Sequence, residues 1–206
     1  NYGAKTSLVA TLTVLPAPPV KITGQWNFDC GTLQATVGND LVPYDATVAG
    51  DTQFGTTTGF SIANIGGTPA QVLYFAPSVA KWGGYRMYHG AAPNGGGSYV
   101  NRYTVIYDIY YPAASNARWR SFLQTNTGNG NDGDIFVNTA NGIGISSVYQ
   151  GTVLADTWHR IVFVFDQTYS SLKKYIDGTL VGIQTLGGLD GRWTLDPYAL
   201  LFGDND

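Results

Sequence analysis

The acids of this chain are all aspartates: fourteen Asp and not one Glu in 206 residues. That bears first on glycoside hydrolysis, which in its retaining form needs two carboxyl groups about 5–5.5 Å apart, one acid and one nucleophile. Aspartate pairs such as Asp132 with Asp134 remain, but they sit in a loop of Asn and Gly. No apolar pocket is evident there to raise one of the two pKa values. Nucleophilic catalysis has little more to work with. His89 and His159 are the two histidines, and no Gly-x-Ser-x-Gly elbow occurs. Two histidines with the single Cys30 do not complete a zinc set of three or four ligands. The expectation is a protein without catalytic residues.

Binding chemistry is better represented. Asn126, Asn129, Asn131, Asp132 and Asp134 crowd one loop, with Gly128, Gly130 and Gly133 between them. Calcium takes six to eight oxygens from carboxylates, amides and backbone carbonyls, and glycine turns let the backbone contribute. The same residues are also ordinary turn formers, so calcium and plain turn chemistry are both open readings. Sugar rings are bound by stacking on aromatic faces, with polar side chains reaching the hydroxyls. Trp82, Tyr85, Tyr88, Trp119 and Tyr149 lie in or near expected loops and are the candidates. His89 joins them as a hydroxyl contact or as a packed loop histidine. Trp26 and Trp158 are assigned to the core. Trp193, after Asp190-Gly191-Arg192, reads as a packed indole beside a positioned Arg. Cys30 reads as a small buried side chain next to Phe28.

The elements that must position these residues are strands. Trp158–Asp166 is apolar and branched with hardly a break, as a strand covered on both faces would be. In it His159 should face away from the core Trp158, toward the surface. Ser171–Ile176 follows, then Asp177-Gly178, a type I′ hairpin signal, then Thr179–Ile183. Upstream, Val20–Asp29, Gly59–Ile65, Pro69–Phe75, Tyr99–Tyr111 and Ala117–Gln124 read as strands, as do Ile135–Asn138, Ile143–Ser146 and Tyr198–Phe202. No long helix is expected. The net charge of −3 and a 12% charged fraction leave no basic footprint for nucleic acid. No apolar run reaches membrane-span length.

The phrase Trp158-His159-Arg160-Ile161-Val162-Phe163, then Tyr175-Ile176-Asp177-Gly178 and Val181-Gly182, resembles the laminin-G-like, concanavalin A-like lectin/glucanase domain. The resemblance implies an antiparallel jelly-roll β-sandwich over residues 21–206. The glucanases of that superfamily carry a Glu-x-Asp-x-x-Glu motif, which this chain cannot form. It implies instead a non-catalytic module that binds a glycan or a cell-surface protein, with calcium near its loops. The richness in Gly, Asn, Thr and Tyr resembles secreted bacterial surface proteins, so an extracellular setting is expected.

Residues 1–15 resemble the last strand of a bacterial immunoglobulin-like module. Within them Leu8, Ala10, Leu12 and Val14 alternate with Ser7, Val9, Thr11 and Thr13. Residues 16–20, with Pro16, Pro18 and Pro19, read as a stiff linker. In the family a further strand follows the phrase Leu200-Leu201-Phe202-Gly203-Asp204 and pairs near the domain's first strand. The expectation is a domain short of that closing strand and carrying a spare one at residues 6–15. Donation of the spare strand to a neighbouring molecule would build a self-assembling surface filament.

Overall fold

The computed structural model describes residues 21–75, 83–125 and 133–203. The expected strand at 6–15, the linker at 16–20, and Trp82, Asn126, Asn129, Asn131 and Asp132 lie outside the described residues. Among the described residues the protein is an all-β sandwich of antiparallel sheets. In chain order the elements are β1 (Val42–Pro43), α1 (Ala46–Asp51), β2 (Gln53–Thr56), β3 (Gln71–Tyr74), β4 (Tyr85–Met87), β5 (Arg102–Tyr110), β6 (Arg120–Gln124), β7 (Asp134–Val137), β8 (Ile143–Ile145), β9 (Val148–Gln150), β10 (Trp158–Asp166), β11 (Ser171–Ile176), β12 (Thr179–Thr185) and β13 (Ala199–Leu201). One sheet has seven strands in the order β1-β4-β13-β6-β7-β8-β9, and a second has four, β12-β11-β10-β5. β2 and β3 form a separate hairpin.

Period-two alternation builds the four-stranded sheet. On β10 the side chains of Ile161, Phe163 and Phe165 are buried, while Val162 and Val164 between them are half-buried. The strand is therefore fully covered on one face and partly covered on the other. The same phase corrects two assignments. Counting back from Ile161 puts His159 inside, 5% exposed, and turns Trp158 outward, half-buried against Tyr110. The histidine tolerates burial because both ring nitrogens have partners. Nε2 accepts the Leu154 N–H, so Nδ1 carries the proton and donates to Asp177 Oδ2 at 2.7 Å. Asp177 and Gly178 take φ of 50° and 79°, the two positive values the hairpin turn requires.

The seven-stranded sheet contributes Tyr85, Met87, Leu123, Ile135, Val137, Ile143, Ile145, Ala199 and Leu201 to the same core. A β-bulge between Ser121 and Leu123 lets Phe122 point inward as well. Phe122 then meets Tyr107 and Phe163 of the opposite sheet at ring-centroid distances of 5.0 and 5.4 Å. A buried cation also joins the two sheets. Lys174 on β11 is fully buried, and its Nζ donates to the Val148 carbonyl at 2.8 Å and to Gln184 Oε1 at 3.3 Å. Burial disfavours its charge and pulls its pKa down to about 8.

Other strands differ from the expectation. Residues 22–28 make one isolated bridge, Gln25 with Val37, and Ile22 is 59% exposed. The hairpin ending in β3 begins at Gln53, not at Gly59. The intervening loop is closed by the buried Thr57, whose hydroxyl donates to Asn64 Oδ1. Cys30 is exposed rather than buried, because the segment around it turns over the surface. No helix of the described residues is long and apolar enough to cross a membrane.

Candidate functional site

The expected site residues divide by the parity of their strands. Tyr85 lies on β4 with its ring in the core, 1% exposed, and its hydroxyl shares a 2.7 Å hydrogen bond with Thr52. It presents no face to solvent. His89 is buried too. Its Nδ1 accepts the Ala91 N–H at 3.0 Å, so Nε2 holds the proton and donates to the Asp196 carbonyl. Both nitrogens are spent on backbone, which leaves the ring a loop clamp.

The other candidates meet on the outer face of the seven-stranded sheet. Leu123 and Ile135 point into the core, so their neighbours Gln124 and Asp134, paired across β6 and β7, lie on the opposite face of the sheet, where both are buried. Arg86 and Leu200, paired across β4 and β13, lie on the same side. Two strand positions further along β7, Phe136 faces out, and β8 and β9 continue its row with Gly144 and Tyr149. Gly144 is required there. Its φ is +154°, and a Cβ would run into the Val148 carbonyl.

Trp119, just before β6, reaches both the Phe136 and the Tyr149 rings. It is 59% exposed and lies edge-on to Phe136 (6.0 Å, 84°) and to Tyr149 (5.5 Å, 66°). These are favourable edge-to-face geometries. They fix the indole while leaving most of its surface open. Asp134 is close enough to act on Tyr149. Burial raises the Tyr149 phenol and the Asp134 carboxylate raises it further. A second aromatic pair sits at the other side of the face. Tyr88 and Tyr198, across β4 and β13, have ring centroids 5.1 Å apart, and Tyr88 is 39% exposed. Between the two groups Arg86 lies over the Tyr44 ring at 4.5 Å, which holds its guanidinium in place. From β4 to β9 there are five inter-strand steps, which at about 4.8 Å each gives a face roughly 24 Å long.

The face therefore offers two aromatic patches and the Arg86 guanidinium, while Gln124 and Asp134 in its middle are buried, 0% and 4% exposed. Stacking on the rings and hydrogen bonding by the guanidinium are what it can do. Among the described residues no group of three or more His, Cys, Asp or Glu is placed to hold a metal ion. Of the expected calcium ligands only Asp134 is described, at the start of β7. The base of its loop is pinned by Thr125, whose hydroxyl accepts the Gly133 N–H at 2.7 Å and donates to the Arg192 carbonyl at 2.6 Å. Trp193 packs beside Gly133, 5% exposed, with the Arg192 guanidinium 5.5 Å from its ring.

Reading the sequence alone missed Arg86, Gln124, Phe136 and Tyr198. Their signal is strand parity, which is legible only once the bulge at Phe122 and the register of β7 are known. No protein-family model matches the chain, and no curated protein sequence matches it. What fold and face define is a class: an antiparallel β-sandwich with an aromatic and polar outer face on its larger sheet.

Proposed function

We propose that the protein is a non-catalytic recognition module of an extracellular protein, and that it binds a glycan chain along the outer face of the seven-stranded sheet. The observation that carries this reading is the exposed Trp119 indole, held edge-on by Phe136 and by Tyr149, whose phenol is its neighbouring polar group. A flat apolar ring beside a hydrogen-bonding group suits a sugar, which is apolar on one ring face and polar at its rim. The length of the face favours an extended oligosaccharide over a single ring. The absence of glutamate, and the burial of both histidines with every ring nitrogen hydrogen-bonded, support a binding role rather than turnover. The resemblance of the β10–β12 meander to laminin-G-like, concanavalin A-like domains points the same way.

The test is affinity electrophoresis of the chain through gels containing different neutral and acidic polysaccharides. Retardation by at least one polysaccharide, lost in Trp119→Ala with folding intact, is the expected result. Equal mobility of the two proteins in every gel would refute the proposal.

A further inference from the structure

The four-stranded sheet ends on β5, and among the described residues no strand pairs with that edge. On β5 the backbone groups of Tyr103, Val105, Tyr107 and Ile109 face β10. The phase is fixed by the Gln167 N–H donating to the Asn101 carbonyl at the start of the ladder. The N–H and C=O groups of Arg102, Thr104, Ile106, Asp108 and Tyr110 therefore face away from the sheet. Those of Arg102 are taken by the Asn94 side chain, which accepts the N–H at 2.7 Å and donates to the C=O at 3.0 Å, as a neighbouring strand would. Those of Thr104, Ile106, Asp108 and Tyr110 meet no partner among the described residues.

The molecule protects its other sheet edges. β1 is two residues long and contains Pro43, and β9 is three residues long. β12 pairs with β11 through a bulge and is tied across to the other sheet by Gln184 Nε2 donating to the Ile145 carbonyl. Short strands, prolines and bulges are the usual safeguards against edge pairing. β5 has none of them over nine residues. Its inward residues Tyr103 and Val105 are only half-buried at this edge, and Ile106 on the outer side is 60% exposed.

We propose that this edge is the docking site for residues 6–15 of a second copy of the chain, which pair with β5 as a fifth strand and link molecules head to tail. Ten residues of strand extend about 33 Å, enough to cover the nine of β5. Leu8, Ala10, Leu12 and Val14 would continue the inward row of Tyr103 and Val105. Ser7, Val9, Thr11 and Thr13 would continue the outward row of Thr104, Ile106 and Asp108. Backbone hydrogen bonds supply the affinity of such an added strand and the alternating side chains its register. Because donor and acceptor are different surfaces, a single contact is heterologous and leaves a free donor on one chain and a free acceptor on the other. This inference is independent of the glycan reading.

The test uses the full chain and two variants. Thr11→Pro removes an N–H from the donor, and Ile106→Lys places a charge on the acceptor edge at a position whose backbone N–H and C=O face away from β10. Light scattering of the wild-type chain should give a mass that rises with concentration above 22.1 kDa. Each variant alone should stay a monomer. An equimolar mixture should form a two-chain complex, since one variant retains the donor and the other the acceptor. Amide exchange at Thr104, Ile106 and Asp108 should be slow in the wild type and fast in Thr11→Pro, a readout that does not depend on Ile106→Lys folding. The proposal is overturned by a wild-type monomer at all concentrations, whether its β5 amides are protected or not. Assembly that persists in Thr11→Pro, or variants that fail to combine on mixing, would overturn it as well.

Discussion

The two sheets of the sandwich differ in how they are built and in what they show to solvent. The four-stranded sheet has strands of nine, nine, six and seven residues, and its outer face is aliphatic and ion-paired. Ile106, Val162, Tyr175 and Leu180 form one row across it, and Arg160 is paired with Asp108 at 2.7 Å. Its one outward indole, Trp158, donates its N–H to the Ala63 carbonyl. The seven-stranded sheet is made of strands of two to five residues with a bulge in β6. Its outer face carries Trp119, Phe136, Tyr149, Tyr88, Tyr198 and Arg86 around the buried Gln124 and Asp134. The contrast separates two tasks. Long ladders hold the fold, and the short strands bring chemically different side chains side by side.

Substitutions in the two sheets should accordingly fail in different assays. The largest effect is expected for Asp177→Ala in the β11–β12 turn. It leaves the buried His159 N–H without its acceptor and removes the acceptor of the Arg160 N–H. Denaturant unfolding should show a loss of about 2 kcal/mol, with glycan retention unchanged in the folded fraction. The partner hydrogen bonds hold the Asp177 carboxyl below the usual carboxylate value. Its contribution is thus present above that usual value and is lost as pH falls through the depressed folded value. The acid limb of the wild-type stability curve should be correspondingly shallower in the variant.

Trp119→Ala is the converse. Removing the exposed ring should weaken glycan binding about tenfold, or ~1.4 kcal/mol, and change unfolding stability by less than that. A stability loss without a binding loss would reassign Trp119 to packing and erase the functional contrast between the sheets.

Lys174→Met sharpens the comparison at the place where the sheets meet. It replaces a buried cation with an apolar chain of similar length, and should stabilise the protein at pH 7 by about 1 kcal/mol. In the wild type the folded-state pKa of about 8 lies below the 10.5 of the free side chain. Stability should therefore rise as pH goes from about 8 toward 10, where the unfolded chain binds the proton and the folded one does not. That rise should vanish in Lys174→Met. The smallest effect is expected for Arg160→Ala, whose ion pair with Asp108 is exposed on both sides. Unfolding should change by about 0.5 kcal/mol or less, and high salt should remove the difference.

The contrast between the sheets also governs what was legible in the sequence. β10 and β11 were read to the residue, because long alternating strands joined by Asp-Gly leave few alternatives. The strands of the larger sheet were read less well. The sequence pattern around Tyr149 reads as loop where the fold has β9, and outside that sheet the strand expected at Gly59–Ile65 is the loop between β2 and β3. Three residues are too few for a periodic signal, and Gly144 interrupts the one row that matters. Trp158 and His159 were interchanged because side-chain size was weighed above strand phase. Trp119, Tyr88 and Tyr149 were found as aromatics. Their shared face was not, since it depends on which residues the bulge at Phe122 turns around.

The most direct measurement of the central claim is an NMR titration of the indole N–H resonances with a polysaccharide fragment that retards the chain in gels. The account predicts that the Trp119 resonance shifts with saturation while that of Trp158, on the outer face of the four-stranded sheet, stays in place. A shift of Trp158 with Trp119 unmoved would place the ligand on the wrong sheet and contradict it.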